Sequence, residues 1–264
     1  MPRLETQKEI RSAKALPFCY LCGRLFVVGD EKNDDHCPAS ACFLKEDRDF
    51  PLILKTHKTC NSSHGVIDQK IGQLIGLKNR QVPSPRDQQL KFQEVRIGPR
   101  NAEAVAVSNL PIANAVWRWI RGFHSALYGS YIPEAAPHTL RTPFPATTLT
   151  SSGHVPEPLL PQHQMFVQLL KDNRAAGRLD RIQCNSGKLT YECVWIQSDK
   201  GPWMCVFALD LYQWKDLGDV SNFAARGCAG SYVLAEGLRP PLATAAATLS
   251  IAAPNLDPLD PFGS

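Results

Sequence analysis

Short apolar runs separated by turn residues fill positions 17–68: Pro17-Phe-Cys-Tyr-Leu-Cys-Gly, Leu25-Phe-Val-Val-Gly, Phe50-Pro-Leu-Ile-Leu, and a stretch opening on Thr56-His-Lys-Thr-Cys-Asn. The pattern predicts hairpin, loop and helix in that order. Thr56 is the expected N-cap, and Ile67, Ile71, Leu74 and Ile75 keep helical spacing as far as Gly76. Residues 81–100 are polar, basic and Pro-bearing, with one strand expected over 92–97. In 112–131 the residues Val116, Ile120, Phe123 and Leu127 share one helical face, which predicts a core helix. Seven prolines between Pro133 and Pro161 predict an extended linker. Beyond it, 164–177 is helical in pattern. Strands are expected over 179–184, 189–196 and 203–212, joined by the turns Asn185-Ser-Gly-Lys and Ser198-Asp-Lys-Gly as an antiparallel meander.

These elements predict an α+β protein. The expected divisions are an N-terminal extension (1–16), a compact ββα module (17–80), a connector with an amphipathic helix (81–132), and a Pro-rich linker (133–163). A C-terminal helix with antiparallel strands (164–238) and a Pro/Ala-rich tail (239–264) follow. The length of 264 residues suits a small first module and a larger second one.

Composition adds little to that picture. Hydrophobic residues at 44% and charged residues at 20% fit a folded globular chain. No apolar run reaches a membrane-spanning length, and the charged N-terminus does not resemble a signal peptide, so the expectation is a cytoplasmic protein without a membrane partner. Nine cysteines, an odd number without an export signal, point to metal ligands or buried thiols rather than disulfides. Charge is uneven: residues 1–133 carry 19 Lys/Arg against 13 Asp/Glu, and residues 55–100 carry nine against three. That excess favours a polyanionic partner, although a basic run is often only a solvated face.

Cys19-Tyr-Leu-Cys22-Gly23 is a C-x-x-C knuckle whose two thiolates can grip one tetrahedral zinc. His57-Lys-Thr-Cys60 offers a second pair at the same spacing, so Cys19, Cys22, His57 and Cys60 form the expected zinc set. Cys37 or Cys42 could replace His57 in it. A small module of this kind would draw most of its folding free energy from the metal.

Between the knuckles lies Asp34-Asp35-His36-Cys37-Pro38, and the second knuckle runs into Asn61-Ser-Ser-His64-Gly65-Val-Ile-Asp68. The order C-x-x-C-G, D-H-x-P, H-x-x-C-N resembles the HNH endonucleases, whose ββα-metal (His-Me finger) site is often pinned by zinc knuckles. The resemblance covers about 50 residues and implies a fold and a chemistry. His36 matches the general base that takes a proton from water, a task suited to an imidazole at neutral pH. Asp35 matches the carboxylate binding a divalent cation, magnesium or manganese, and Asn61 matches the residue completing that cation site on the helix. On a helix Asn61, His64 and Asp68 share one face, so His64 could add a cation ligand or touch phosphate. The middle Asn of many members has no counterpart, since Phe50-Pro-Leu-Ile-Leu-Lys fills that stretch.

The implied activity is metal-dependent hydrolysis of DNA, with RNA as the other candidate substrate. The alternatives are a catalytically inactive, zinc-dependent nucleic-acid-binding protein and a structural zinc protein. Arg118, Arg121 and His124 are expected on a solvated edge of the core helix. Trp195, Trp203 and Trp214, with Cys184, Cys193 and Cys205, are expected in the core of the meander.

Overall fold

The computed structural model describes residues 2–78, 92–97, 102–107, 110–141, 149–150, 153–154, 161–197, 201–212 and 228–235. The basic residues of 79–91, Trp214 and the tail lie outside these residues. In chain order the elements begin with β1 (Arg3–Leu4), α1 (Gln7–Ser12), β2 (Lys32–His36), β3 (Ile53–His57), α2 (Lys58–Asn61), α3 (Gly65–Lys78), β4 (Phe92–Ile97) and β5 (Ala102–Val107). They continue with α4 (Ile112–Tyr128), β6 (His138–Arg141), β7 (Leu149–Thr150), β8 (Gly153–His154), α5 (Pro161–Ala175), β9 (Asp180–Cys184), β10 (Leu189–Gln197), β11 (Trp203–Leu211) and β12 (Cys228–Val233). The class is α+β, with an antiparallel meander in its C-terminal part.

That meander is the centre of a six-stranded sheet ordered β1-β9-β10-β11-β12-β6. β1 joins parallel to β9 and the other neighbours are antiparallel. Both faces are covered, which explains why β10 and β11 read as nearly continuous apolar runs rather than as alternation. Tyr191, Cys193, Trp195, Cys205, Phe207 and Leu209 point into the main core with α4, whereas Val194, Val206 and Ala208 pack under Phe166 and Leu170 of α5. Cys184, Cys193 and Cys205 are buried apolar fillers, as their strand positions predict.

Three local differences from the sequence pattern have physical causes. The Pro-rich stretch 133–163 supplies β6, whose backbone pairs with β12 and closes one sheet edge. The helix expected from Thr56 starts after His57 and is interrupted at Ser62–His64, where two serines and the following Gly65 are weak helix formers. The strand over 92–97 forms a hairpin with β5, a partner that the Ala-rich 102–107 did not announce. Thr6 and Glu9 form a capping box on α1.

α4 is the axis on which the site is built. Its core face carries Val116, Ile120, Phe123 and Leu127, all buried. Gly129 in the left-handed conformation ends it, donating its N–H to the Ser125 carbonyl at 2.9 Å. Among the described residues no helix is long and apolar enough to cross a membrane.

Candidate metal centre and adjoining cavity

The β2–β3 hairpin, the turn before it and the first turn of α2 bring four ligand residues together. Phe18 and Leu25 pair across the knuckle, and Gly23 returns its N–H to the Cys19 carbonyl at 2.8 Å. Gly23 has φ +78°, and a Cβ there would strike the Tyr131 ring, so only glycine fits this turn. His57 ends β3, and Cys60 follows one helical turn later. The ligand atoms of Cys19, Cys22, His57 and Cys60 all lie within 4.8 Å of one another, a Cys3His set that could hold one tetrahedral zinc.

His57 shows how the set is oriented. Its Nδ1 lies 3.4 Å from the Cys22 sulfur, and its Nε2 lies 3.2 Å from an Asp30 carboxylate oxygen. Asp30 also accepts the Val27 N–H at 2.8 Å, which fixes the carboxylate. With Nε2–H held by Asp30, Nδ1 keeps its lone pair for a metal. Burial opposes ionisation of Cys22, but the Arg24 backbone and side chain, His57 and Cys19 outweigh it and bring that thiol down to about 6. Burial pushes Cys19 up, and burial with the neighbouring thiols pushes Cys60 up to about 11. Metal arrival therefore releases protons.

Cys37 and Cys42 do not join this set. Cys37 is fully buried with its S–H toward the Trp119 carbonyl at 3.4 Å, and Cys42 sits in the core. His57 is thus the nitrogen ligand of the cluster.

Asp35 and His36 close the other end of β2. The register sets Lys32 opposite His57 and His36 opposite Ile53, so His36 stands four residues, about 13 Å, along the hairpin from the end where His57 leads into Asn61. Asp35 is 5% exposed, and its carboxylate accepts the Tyr20 hydroxyl at 2.5 Å. Burial raises its pKa, partly offset by Tyr20 and Arg118. His36 and Asn61 are half-buried. Among the described residues no second group of three or more His, Cys, Asp or Glu ligands gathers as the Cys3His set does.

α3 carries His64 just before its start and Asp68 in its first turn, beside α4. Asp68 pairs with Arg118, and burial raises the Asp68 pKa against the pull of that guanidinium. Burial, and then Arg118, hold His64 below its ordinary value. A cavity of about 530 Å³ opens between α3 and α4, with His64, Asp68, Arg118, Arg121, Glu134 and His138 in its walls.

Arg118, Arg121 and His124 are buried, not on a solvated edge, at 5%, 3% and 1% exposure. α4 has the sheet on one side and the segment carrying the Cys3His set on another, which leaves it almost no free face. Each polar group accordingly has a structural task. Arg121 donates from Nε to Ile132 at 2.9 Å and from Nη2 to Leu21 at 2.6 Å, tying the knuckle loop to α4. His124 bridges the Tyr232 and Ser130 hydroxyls at 2.8 and 2.7 Å. The one sequence signal for this was the setting of the three within an otherwise apolar run. Tyr20 and Asp30 gave no such signal.

No family model, curated protein or solved structure matches the chain.

Proposed function

We propose that the chain is a metal-dependent, HNH-type endonuclease that hydrolyses DNA phosphodiester bonds, with zinc as a structural staple. His36 acts as general base toward water. Asp35 would hold magnesium or manganese against the scissile phosphate, and Asn61, which follows the other end of the hairpin, and His64 are the further ligands that the HNH resemblance implies. The supporting observation is the β2–β3–α2 order beside the Cys3His set, which seats Asp35-His36 at a strand end and Asn61 on the following helix. Tyr20 and Arg118 would steady Asp35.

The second reading, a zinc-dependent nucleic-acid binder without turnover, is favoured by the burial of Asp35 and by the Tyr20 hydroxyl already on its carboxylate. One experiment separates the two. Supercoiled plasmid is incubated with the zinc-loaded protein and magnesium or manganese, beside His36→Ala and Asp35→Asn. The nuclease nicks the plasmid, and each substitution lowers the rate by about 100-fold or more. Salt-sensitive retention of DNA without nicking gives the second reading instead.

A further inference from the structure

The cavity between α3 and α4 shares His64 and Arg118 with the proposed cutting site, but Trp117, Arg121 and His138 in its walls have no part in that chemistry. Arg118 sits in its wall at 5% exposure, with Nη2 on Asp68 and with Nε and Nη1 buried and without any hydrogen-bond partner. A buried guanidinium with idle N–H groups is costly, on the order of 1–3 kcal/mol for each unmet donor. Oxyanions supply the acceptors that such a fork matches. Arg121 adds a second buried positive charge, its N–H groups spent on Ile132 and Leu21 carbonyls. Of the acids, Asp68 pairs with Arg118, the buried Asp35 also lies in the field of that guanidinium, and Glu134 stands at the rim with its side chain 86% exposed, where solvent screens it.

An aromatic surface adjoins these arginines on the same helix, α4. The His138 ring stacks on Trp117 with centroids 4.0 Å apart and 9° between planes, and Trp117 is fixed by its indole N–H on the Glu134 carbonyl at 2.8 Å. His138 is exposed, so its outer face is a flat surface for a planar base. The volume of about 530 Å³ falls in the range of small-molecule sites.

We propose that this cavity binds a nucleotide through its phosphate, with Arg118 as the phosphate reader and the His138–Trp117 stack as the base platform. The site requires no hydrolysis and stands whether or not the hairpin cuts DNA. The phosphate can come from a free mononucleotide or from the 5′-phosphorylated end of a nucleic-acid strand.

The test is calorimetric titration of the zinc-loaded full chain, without magnesium or manganese, by a nucleoside, its 5′-monophosphate, and one oligonucleotide with and without a 5′-phosphate. The monophosphate should bind at least about tenfold more tightly than the nucleoside. Asn114→Trp, an exposed position at the cavity, should weaken it by about tenfold or more while zinc content and thermal midpoint stay unchanged. The double variant Arg118→Met/Asp68→Asn, which removes the ion pair without stranding a charge, should do the same. A preference for the 5′-phosphorylated strand assigns the phosphate to a strand end, and equal binding of the two strands assigns it to the free nucleotide. Equal binding of nucleoside and monophosphate, no binding of the monophosphate at about 1 mM, or full affinity in Asn114→Trp overturns the proposal.

Discussion

A metal-bound imidazole keeps its orientation only while its second nitrogen is held, and in His57 that nitrogen faces Asp30 at 3.2 Å. Asp30→Ala leaves all four ligands in place but frees the ring and its tautomer. Zinc affinity, read by competition with a chromogenic chelator, should fall by about 10- to 100-fold. An unchanged affinity would mean that the backbone alone sets His57. His124 poses a different problem, because it is buried neutral between two hydroxyls, and burial takes its pKa from 6.5 to about 3. The unfolded chain therefore binds a proton below pH 6.5 that the folded chain refuses down to about pH 3. Stability from this group is complete above pH 6.5 and falls as the pH drops through that window, with a slope approaching about 1.4 kcal/mol per unit. Protonation of the zinc thiolates acts in the same direction, so wild type is compared with His124→Gln. Denaturant unfolding at pH 7.5 and 5.5 should show a smaller loss in the variant, and an equal loss would remove His124 as a cause.

α4 comes close to the β2–β3 hairpin and to Cys37 just after β2, and Gly122 makes that approach possible. A Cβ there would collide with the Cys37 sulfur and press on Tyr20 and Leu54 at 3.2 and 3.3 Å. Gly122→Ala is favourable for an isolated helix by about 1 kcal/mol. Overpacking should outweigh that gain and lower unfolding free energy by about 1–3 kcal/mol in urea titration. The core face of α4, the meander and the metal ligands were all readable from sequence, because period, turn residues and the C-x-x-C and H-x-x-C spacings are local signals. What could not be read depends on contacts between elements distant in the chain. The burial of Arg118 and Arg121 follows from the segment with the Cys3His set lying on α4, and the pairing of β6 with β12 joins residues about 90 apart. The break between α2 and α3 and the side on which α3 lies were equally beyond a periodicity argument. For the proposed cutting residues, sequence order seats Asp35 and His36 together but carries no information on the Tyr20 hydroxyl that meets Asp35.

Over the whole molecule, the segment carrying the Cys3His set and the sheet share one core. The main cluster of buried side chains runs from Leu4 through Tyr20, Leu54, Trp119 and Tyr191 to Leu234. Tyr20 lies between Cys19 and Cys22 of the Cys3His set, and Arg121 bonds the carbonyl of Leu21, also between them, so the knuckle is an integral wall of that core. Removing the metal should then destabilise the C-terminal meander as well as the knuckle. If zinc at about 1,000 times its dissociation constant contributes roughly 4 kcal/mol, chelation lowers the thermal midpoint by about 10 °C, since a domain this size shifts about 2–4 °C per kcal/mol. Hydrogen exchange should show the amides of β10 and β11 losing protection together with those of β2 and β3. Arg121→Met cuts the link from α4 to the knuckle and leaves the ligands intact. In that variant chelation should open β2 and β3 at lower free energy than β10 and β11, splitting one cooperative unit into two. Should β10 and β11 keep full protection in the metal-free wild type, the zinc serves the hairpin alone, and the shared core does not carry its stabilisation into the sheet.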